Sequence, residues 1–379
     1  MKLFTLGPVE MYPYTRELLS RQLPYFRTPA FSEVVFECSE RLKRLAGAPE
    51  DAHVYLLTGS GSGAMEAAAA NCFGLRDHAL VVDGGGFGHR FCEICAHHGI
   101  GYESIKIALG EALTQEHLDP YCHKNFDAVL VNHHETSVGR LYDLDLLSAY
   151  CRETGAYLIV DAISSFLADS INFEAQGIDA LILSSQKALA LPPGLSVLIL
   201  SGRLYRRMIE RNIRSFSLYF DLRDAESNAV RGQTPFSPAV GTILALRERL
   251  EHLEAEGGQD GAVTSAQMLA ERFRERLRHI RGYAEPGAEG GGSVKDMGNE
   301  GEARLTLPTH PLSNACTPLL FPQGGARRVY ERLSEEHDIW LNPNGGELAD
   351  KLLRVGHLGA LTAEDGNLLA GLLADILFE

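Results

Sequence analysis

One tryptophan in 379 residues, seven cysteines and a shortage of basic side chains mark this sequence first by what it has little of. Lys and Arg number 35 against 50 Asp and Glu, a formal net charge of -15. Nucleic-acid backbones demand a basic footprint, so that class of partner is excluded. No apolar run reaches the length needed to span a bilayer, and the opening MKLFTLGPVEMYP has no extended apolar signal region. Seven cysteines, an odd count without regular spacing, fit reduced thiols in a cytoplasm better than a disulfide framework. There is no internal repeat, and no glycine-rich turn ends in the GK[ST] of a nucleoside-triphosphate loop.

What is present alternates. HVYLLTG (53–59), HALVVDGG (78–85), FDAVLVNH (126–133), AYLIVDA (156–162), DALILSS (179–185) and LSVLILS (195–201) are short β-rich apolar runs. Helical patterns such as AMEAAAANCFG and LDLLSAYCRETG separate the first five, so an α/β fold with a mostly parallel sheet is expected. Only a short Pro-Pro-Gly link joins the last two runs, which permits an antiparallel neighbour but not a crossover helix. The texture changes after RGQTPFSPAVG (231–241), where long charged helical patterns begin. The expected division is a large α/β domain over 16–240 and a smaller α+β domain over 241–379 joined by residues 1–15. The Gly-rich stretch 285–302 reads as a loop.

Four features lie at, or just after, the carboxyl ends of expected strands, where open α/β sheets bind ligands. TGSGSGAMEA (58–67) leads into a helix whose free N–H groups suit a phosphate. Asp161 follows five apolar or aromatic residues and Lys187 sits between two apolar runs, two charges that are costly to bury unpaired. His134, Glu135 and Thr136 stand at the tip of another strand. An amine for a Schiff base, an acid to keep a pyridine nitrogen protonated and an anion cradle are together what pyridoxal 5'-phosphate requires.

In this order and spacing, SSQKALALPPG, VDAISS, GSGSGAMEA and HHETSVG strongly resemble the class V aminotransferases, in the alanine–glyoxylate, serine–pyruvate and 2-aminoethylphosphonate–pyruvate branch. The resemblance implies the aspartate-aminotransferase-like fold (fold type I), with a seven-stranded, mostly parallel sheet in the large domain. It implies a homodimer with shared active sites and ping-pong transfer of an amino group from an amino acid or aminoalkyl donor to a 2-oxo acid of pyruvate or glyoxylate type. By that likeness Lys187 is the Schiff-base lysine and Asp161 the pyridinium partner. Ser60, Gly61 and Ser62 form the phosphate turn, Phe87 stacks on the pyridine, and Thr136 contacts the side of the phenolic oxygen. Gln186 precedes the lysine, Thr234 reaches the phosphate of the neighbouring subunit, and Arg354 forks onto the substrate carboxylate. Arg231 stands where alanine–glyoxylate relatives carry a tyrosine. HHETSVG and DAISSF lean to the phosphonate members, SSQKALALPPG to the alanine–glyoxylate ones.

A lyase of the cysteine desulfurase or β-elimination type is the alternative within the same cofactor chemistry, with Cys316 as its candidate nucleophile. The CxxC of FCEIC (91–95) is expected to be structural, inside a helix, because no second CxxC or HxxxH completes a zinc set. No metal ligand set is read from the sequence.

Overall fold

The computed structural model describes residues 1–74, 76–287 and 304–378. Most of the Gly-rich stretch expected to be a loop lies outside the described residues.

Seven strands make the central sheet: His53–Thr58 (β1), His78–Asp83 (β2), Gly101–Lys106 (β3), Ala128–Asn132 (β4), Tyr157–Asp161 (β5), Ile178–Ser184 (β6) and Leu195–Leu200 (β7). Their order is β1-β7-β6-β5-β4-β2-β3, and only β7 runs antiparallel to its neighbours. The Pro-Pro-Gly link does lead into that antiparallel strand. β3 has no counterpart among the apolar runs read from the sequence. It is an edge strand, GYESIK, with only Ile105 fully buried, so no apolar run announces it.

Period-two alternation sends successive residues to opposite faces. Val129 and Val131 join one apolar cluster, together with Leu42, Leu147 and Leu246 from helices on that side. Ala128 and Leu130 join the other, with Met65, Phe91 and Leu204. Both faces are therefore covered, the arrangement that near-continuous apolar strands require. The helix Leu144–Thr154 starts on Asp143, whose carboxylate accepts from Asp145 N at 2.8 Å, and stops at Gly155 with φ 77.

The expected domain boundary falls at 240. The helix just beyond it, Val240–Ala255, places Ile243, Leu246, Leu250 and Leu253 in the first cluster, with the sheet. A third cluster gathers Phe4, Phe273, Leu277, Leu319, Phe321, Leu333, Leu353 and Leu373. It surrounds a three-stranded antiparallel sheet of Cys316–Leu320, Leu352–Gly356 and Asn342–Pro343. Residues Lys2–Leu3 pair with Ile339–Trp340, which ties the amino-terminal segment to this part of the molecule.

Candidate active site

The register of the sheet gathers the chemistry on one edge. Asn132 is opposite Asp161, Asp161 opposite Ile182, Ser184 opposite Ser196, and Thr58 opposite Leu195. The parallel strands therefore end together, and the segments leaving them carry Ser60, Phe87, Thr136, Asp161 and Lys187.

Lys187 lies in the turn after β6 and is largely covered. Its ammonium donates to the main-chain oxygen of Leu6. Burial pulls the amine down to about 8, against the raising influence of Asp161, and the Arg354 guanidinium adds to the lowering. The amino-terminal segment must pass very close for this contact. Gly7, at φ +123, has no room for a side chain: a β-carbon would stand 2.7 Å from Lys187 Cδ and 2.8 Å from Gln186 O.

Asp161 is buried at the end of β5, where its Oδ1 accepts from Ile163 N at 2.8 Å. Burial pushes its carboxyl up to about 7; the Ile163 hydrogen bond lowers it, Glu135 raises it and Lys187 lowers it. Both groups are held near the point where they exchange a proton at neutral pH, which is where catalytic acids and bases are placed.

Ser60 precedes the helix Gly61–Cys72, and no side chain caps its amino terminus. A β-carbon on Gly61 would come 2.2 Å from Ile163 Cδ1, so this turn lies directly over the segment that follows Asp161. Phe87 is half-buried in the first turn of the helix Gly86–His97. Glu135 holds that turn: its Oε2 accepts from Phe87 N at 3.1 Å and Gly88 N at 2.9 Å, and from Asn132 Nδ2 at 2.9 Å. Its Oε1 accepts from Ser137 N at 3.1 Å. The sequence shows Glu135 as a strand-tip residue, but Phe87 and Gly88, the turn it holds, lie nearly 50 positions away.

The hydroxyls of Thr136 and Ser164 are 2.8 Å apart and both buried. Ser164 was not singled out from sequence; its place in DAISSF, three residues after Asp161, is the only local signal. Gln186 accepts from Ser184 Oγ at 2.6 Å. Arg354, on Leu352–Gly356, donates to Thr136 O at 3.1 Å and Pro343 O at 2.8 Å, while its buried Nε has no partner. Asn344 Nδ2 donates to Ser137 O at 2.8 Å, which brings the segment after Asn342–Pro343 to the same edge.

Lys187, Asp161, Thr136, Gln186 and Arg354 thus converge, with the Ser60–Ser62 turn and Phe87 beside them. Thr234 stands apart, its hydroxyl donating to Phe236 O at 2.7 Å and its carbonyl accepting from Arg27 Nη1 at 2.8 Å. Arg231 is exposed and donates to Asn228 Oδ1 at 2.5 Å.

A lysine, a buried aspartate and a helix start that no side chain caps thus meet on one sheet edge. The comparisons name the family. Residues 25–289 match the model of the Aminotransferase class-V family, and the chain belongs to it. A protein from Synechococcus sp. named soluble hydrogenase, small subunit, is 28% identical over 348 residues, covering 89% of this chain and 83% of its own. The 2-aminoethylphosphonate–pyruvate transaminase 2 of Paraburkholderia xenovorans is 34% identical over 262 residues, 68% of this chain and 69% of its own. The crystal structure of alanine–glyoxylate aminotransferase from Nostoc sp. superposes with a TM-score of 0.87 at 26% identity, covering 99% of this chain and 94% of that one. The protein is a pyridoxal-phosphate-dependent aminotransferase of fold type I, as the sequence motifs implied.

The residues present fit that cofactor. No side chain caps the helix start after Ser60, and the buried Arg354 Nε has no partner, two sets of donors that suit anionic groups.

Proposed function

We propose that this enzyme transfers an amino group from an amino acid or aminoalkyl donor to pyruvate or glyoxylate, in two half-reactions on one site. Both named transaminase relatives use one of those acceptors. The observation that carries the reading is Lys187, an amine covered by the Leu6 segment and drawn down to about 8 by its burial.

Pyridoxal phosphate supplies an aldehyde that condenses with amines and a ring that accepts electrons from the substrate Cα. Lys187 would supply the amine that holds the cofactor and, when free, the base that carries a proton to and from the substrate Cα. Asp161 would keep the pyridine nitrogen protonated, and a cation there would offset the cost of burying its carboxylate. The N–H groups of Gly61 and Ser62, with the hydroxyls of Ser60 and Ser62, would hold the phosphate. Phe87 would stack on the ring, with Glu135 fixing the turn that presents it. Thr136 and Ser164 would hold the side of the ring that carries the phenolic oxygen, and Gln186 would orient the lysine turn. Arg354 binds the carboxylate of the 2-oxo acid through a planar fork that lysine cannot reproduce.

Thr234 completes the phosphate site of a partner subunit in a homodimer. Exposed apolar side chains support that reading: Phe216 and Leu218 are 86% and 80% accessible, and Tyr25 and Val230 are also open. No helix among the described residues is long and apolar enough to cross a membrane. We place the enzyme in the cytoplasm, where its seven free thiols stay reduced.

The lyase alternative gains nothing from Cys316, which is buried in a strand with its thiol pushed up to about 12 by that burial. The hydrogenase name belongs to the Synechococcus protein and is not carried over. The test is a spectral titration of holoenzyme with candidate donors, followed by product analysis with pyruvate and glyoxylate. Amino transfer to one acceptor supports the reading; release of pyruvate or sulfide without any acceptor overturns it.

A further inference from the structure

The FCEIC motif acquires partners in three dimensions that it lacks in sequence. Cys95 turns into the apolar cluster behind the sheet, beside Ile94 and Phe91. Cys92 belongs to the same cluster, and its Sγ also lies 3.5 Å from Asp83 Oδ2. His89, one helical turn earlier on Gly86–His97, brings Nδ1 to 3.2 Å from the same oxygen. Asp83 ends β2 and is 6% accessible, whereas the His89 side chain is 59% accessible and forms the open rim. The three ligand atoms all lie within 4.8 Å of one another.

Those separations have a meaning. Zinc binds nitrogen and oxygen at about 2.0–2.2 Å and sulfur at about 2.3 Å, so neighbouring ligands of a tetrahedron stand about 3.3–3.6 Å apart. Two of the three edges already have about that length. One carboxylate, one imidazole and one thiol are a borderline-soft donor set that zinc accepts and magnesium or calcium does not.

A positive charge already occupies the place. The Lys106 ammonium donates to Asp83 Oδ2, and its side chain is 66% accessible, free to swing into solvent. We propose that Asp83, His89 and Cys92 form a zinc site, separate from the amino-transfer chemistry, in which the metal displaces Lys106 and takes water as its fourth ligand. The Cys92 thiol gives its proton to solvent as the S–Zn bond forms, and Lys106 leaves still protonated. Zinc with one carboxylate and one thiolate is neutral overall, as are Asp83 and Lys106 before it. The bound ion would pin the carboxyl end of β2 to the helix that begins beside Phe87.

The test uses untagged holoenzyme titrated with cobalt(II) as a visible reporter, and with zinc(II) by calorimetry. The expected result is one equivalent bound, with intense tetrahedral d–d bands and a thiolate-to-metal transition that C92S abolishes. H89A is expected to weaken zinc at least tenfold while leaving turnover and the cofactor spectrum unchanged. K106A is expected to tighten it, because a competing cation is gone. His89 and Lys106 are solvent-facing, so their variants decide the matter even if C92S fails to fold. A pale six-coordinate cobalt spectrum, or zinc affinity that neither H89A nor K106A moves, overturns the proposal.

Discussion

Gly7 and Lys187 are packed so closely that any side chain at position 7 would strike the lysine's own methylenes. The same peptide segment supplies the Leu6 oxygen that receives the Lys187 ammonium. Gly7→Ala therefore meets two penalties, a close contact and a φ of +123 that side chains rarely adopt. Pyridoxal phosphate affinity, measured by fluorescence quenching, is expected to fall at least tenfold, while the far-ultraviolet spectrum stays that of the folded protein.

Asp161 gives a prediction with a defined sign. Its carboxyl is raised from 3.8 to about 7, so between those values the folded, cofactor-free protein binds more protons than the unfolded chain. Asp161 therefore costs stability as pH rises through that window. His133 and His134, pulled down to about 3 by burial, slope the other way over about pH 3 to 6.5. Comparing Asp161→Asn with wild type isolates the aspartate. At pH 8 the cofactor-free variant is expected to melt a few degrees higher, with the gap closing towards pH 4. Its turnover should nonetheless be about a hundredfold or more lower, as for other lost electrostatic partners.

Arg354 separates the two substrates. Replacing it with lysine keeps the charge but loses the fork, worth about 1.5–3 kcal/mol for hydrogen bonds to a charged group. KM for the 2-oxo acid is expected to rise roughly 10- to 100-fold. KM for an aminoalkylphosphonate donor, which has no carboxylate, should move far less. Steady-state kinetics varying each substrate in turn reads the difference.

The exposed Phe216 and Leu218 lie in the segment leading to Thr234. Light scattering is expected to give twice the chain mass of 41.5 kDa. The double variant F216D/L218D should give the monomer and weaken pyridoxal phosphate at least tenfold. Thr234→Ala should weaken the cofactor without changing the mass.

Much of this architecture was legible before any coordinates, and the exceptions share a cause. Six of the seven strands, the edge strand β1 among them, announce themselves as apolar runs because both faces of the sheet are covered there. β3 does not, because Tyr102, Glu103 and Lys106 on an edge need not be apolar. Lys187 and Asp161 stand out as charges where none belongs, a local signal of chemistry. The Leu6 contact, the clamp of Glu135 on the Phe87 turn and the Thr136–Ser164 pair join residues distant in the chain. Sequence periodicity carries no information about such meetings. The helix Val240–Ala255 illustrates the same limit: its pattern shows an apolar stripe, but not which cluster receives it.

Borohydride reduction of the holoenzyme followed by peptide mass mapping tests the central claim most directly. A phosphopyridoxyl adduct on the peptide containing Lys187, absent from Lys187→Ala, is the predicted result. An unmodified Lys187 peptide, or an adduct on another lysine, would contradict the account.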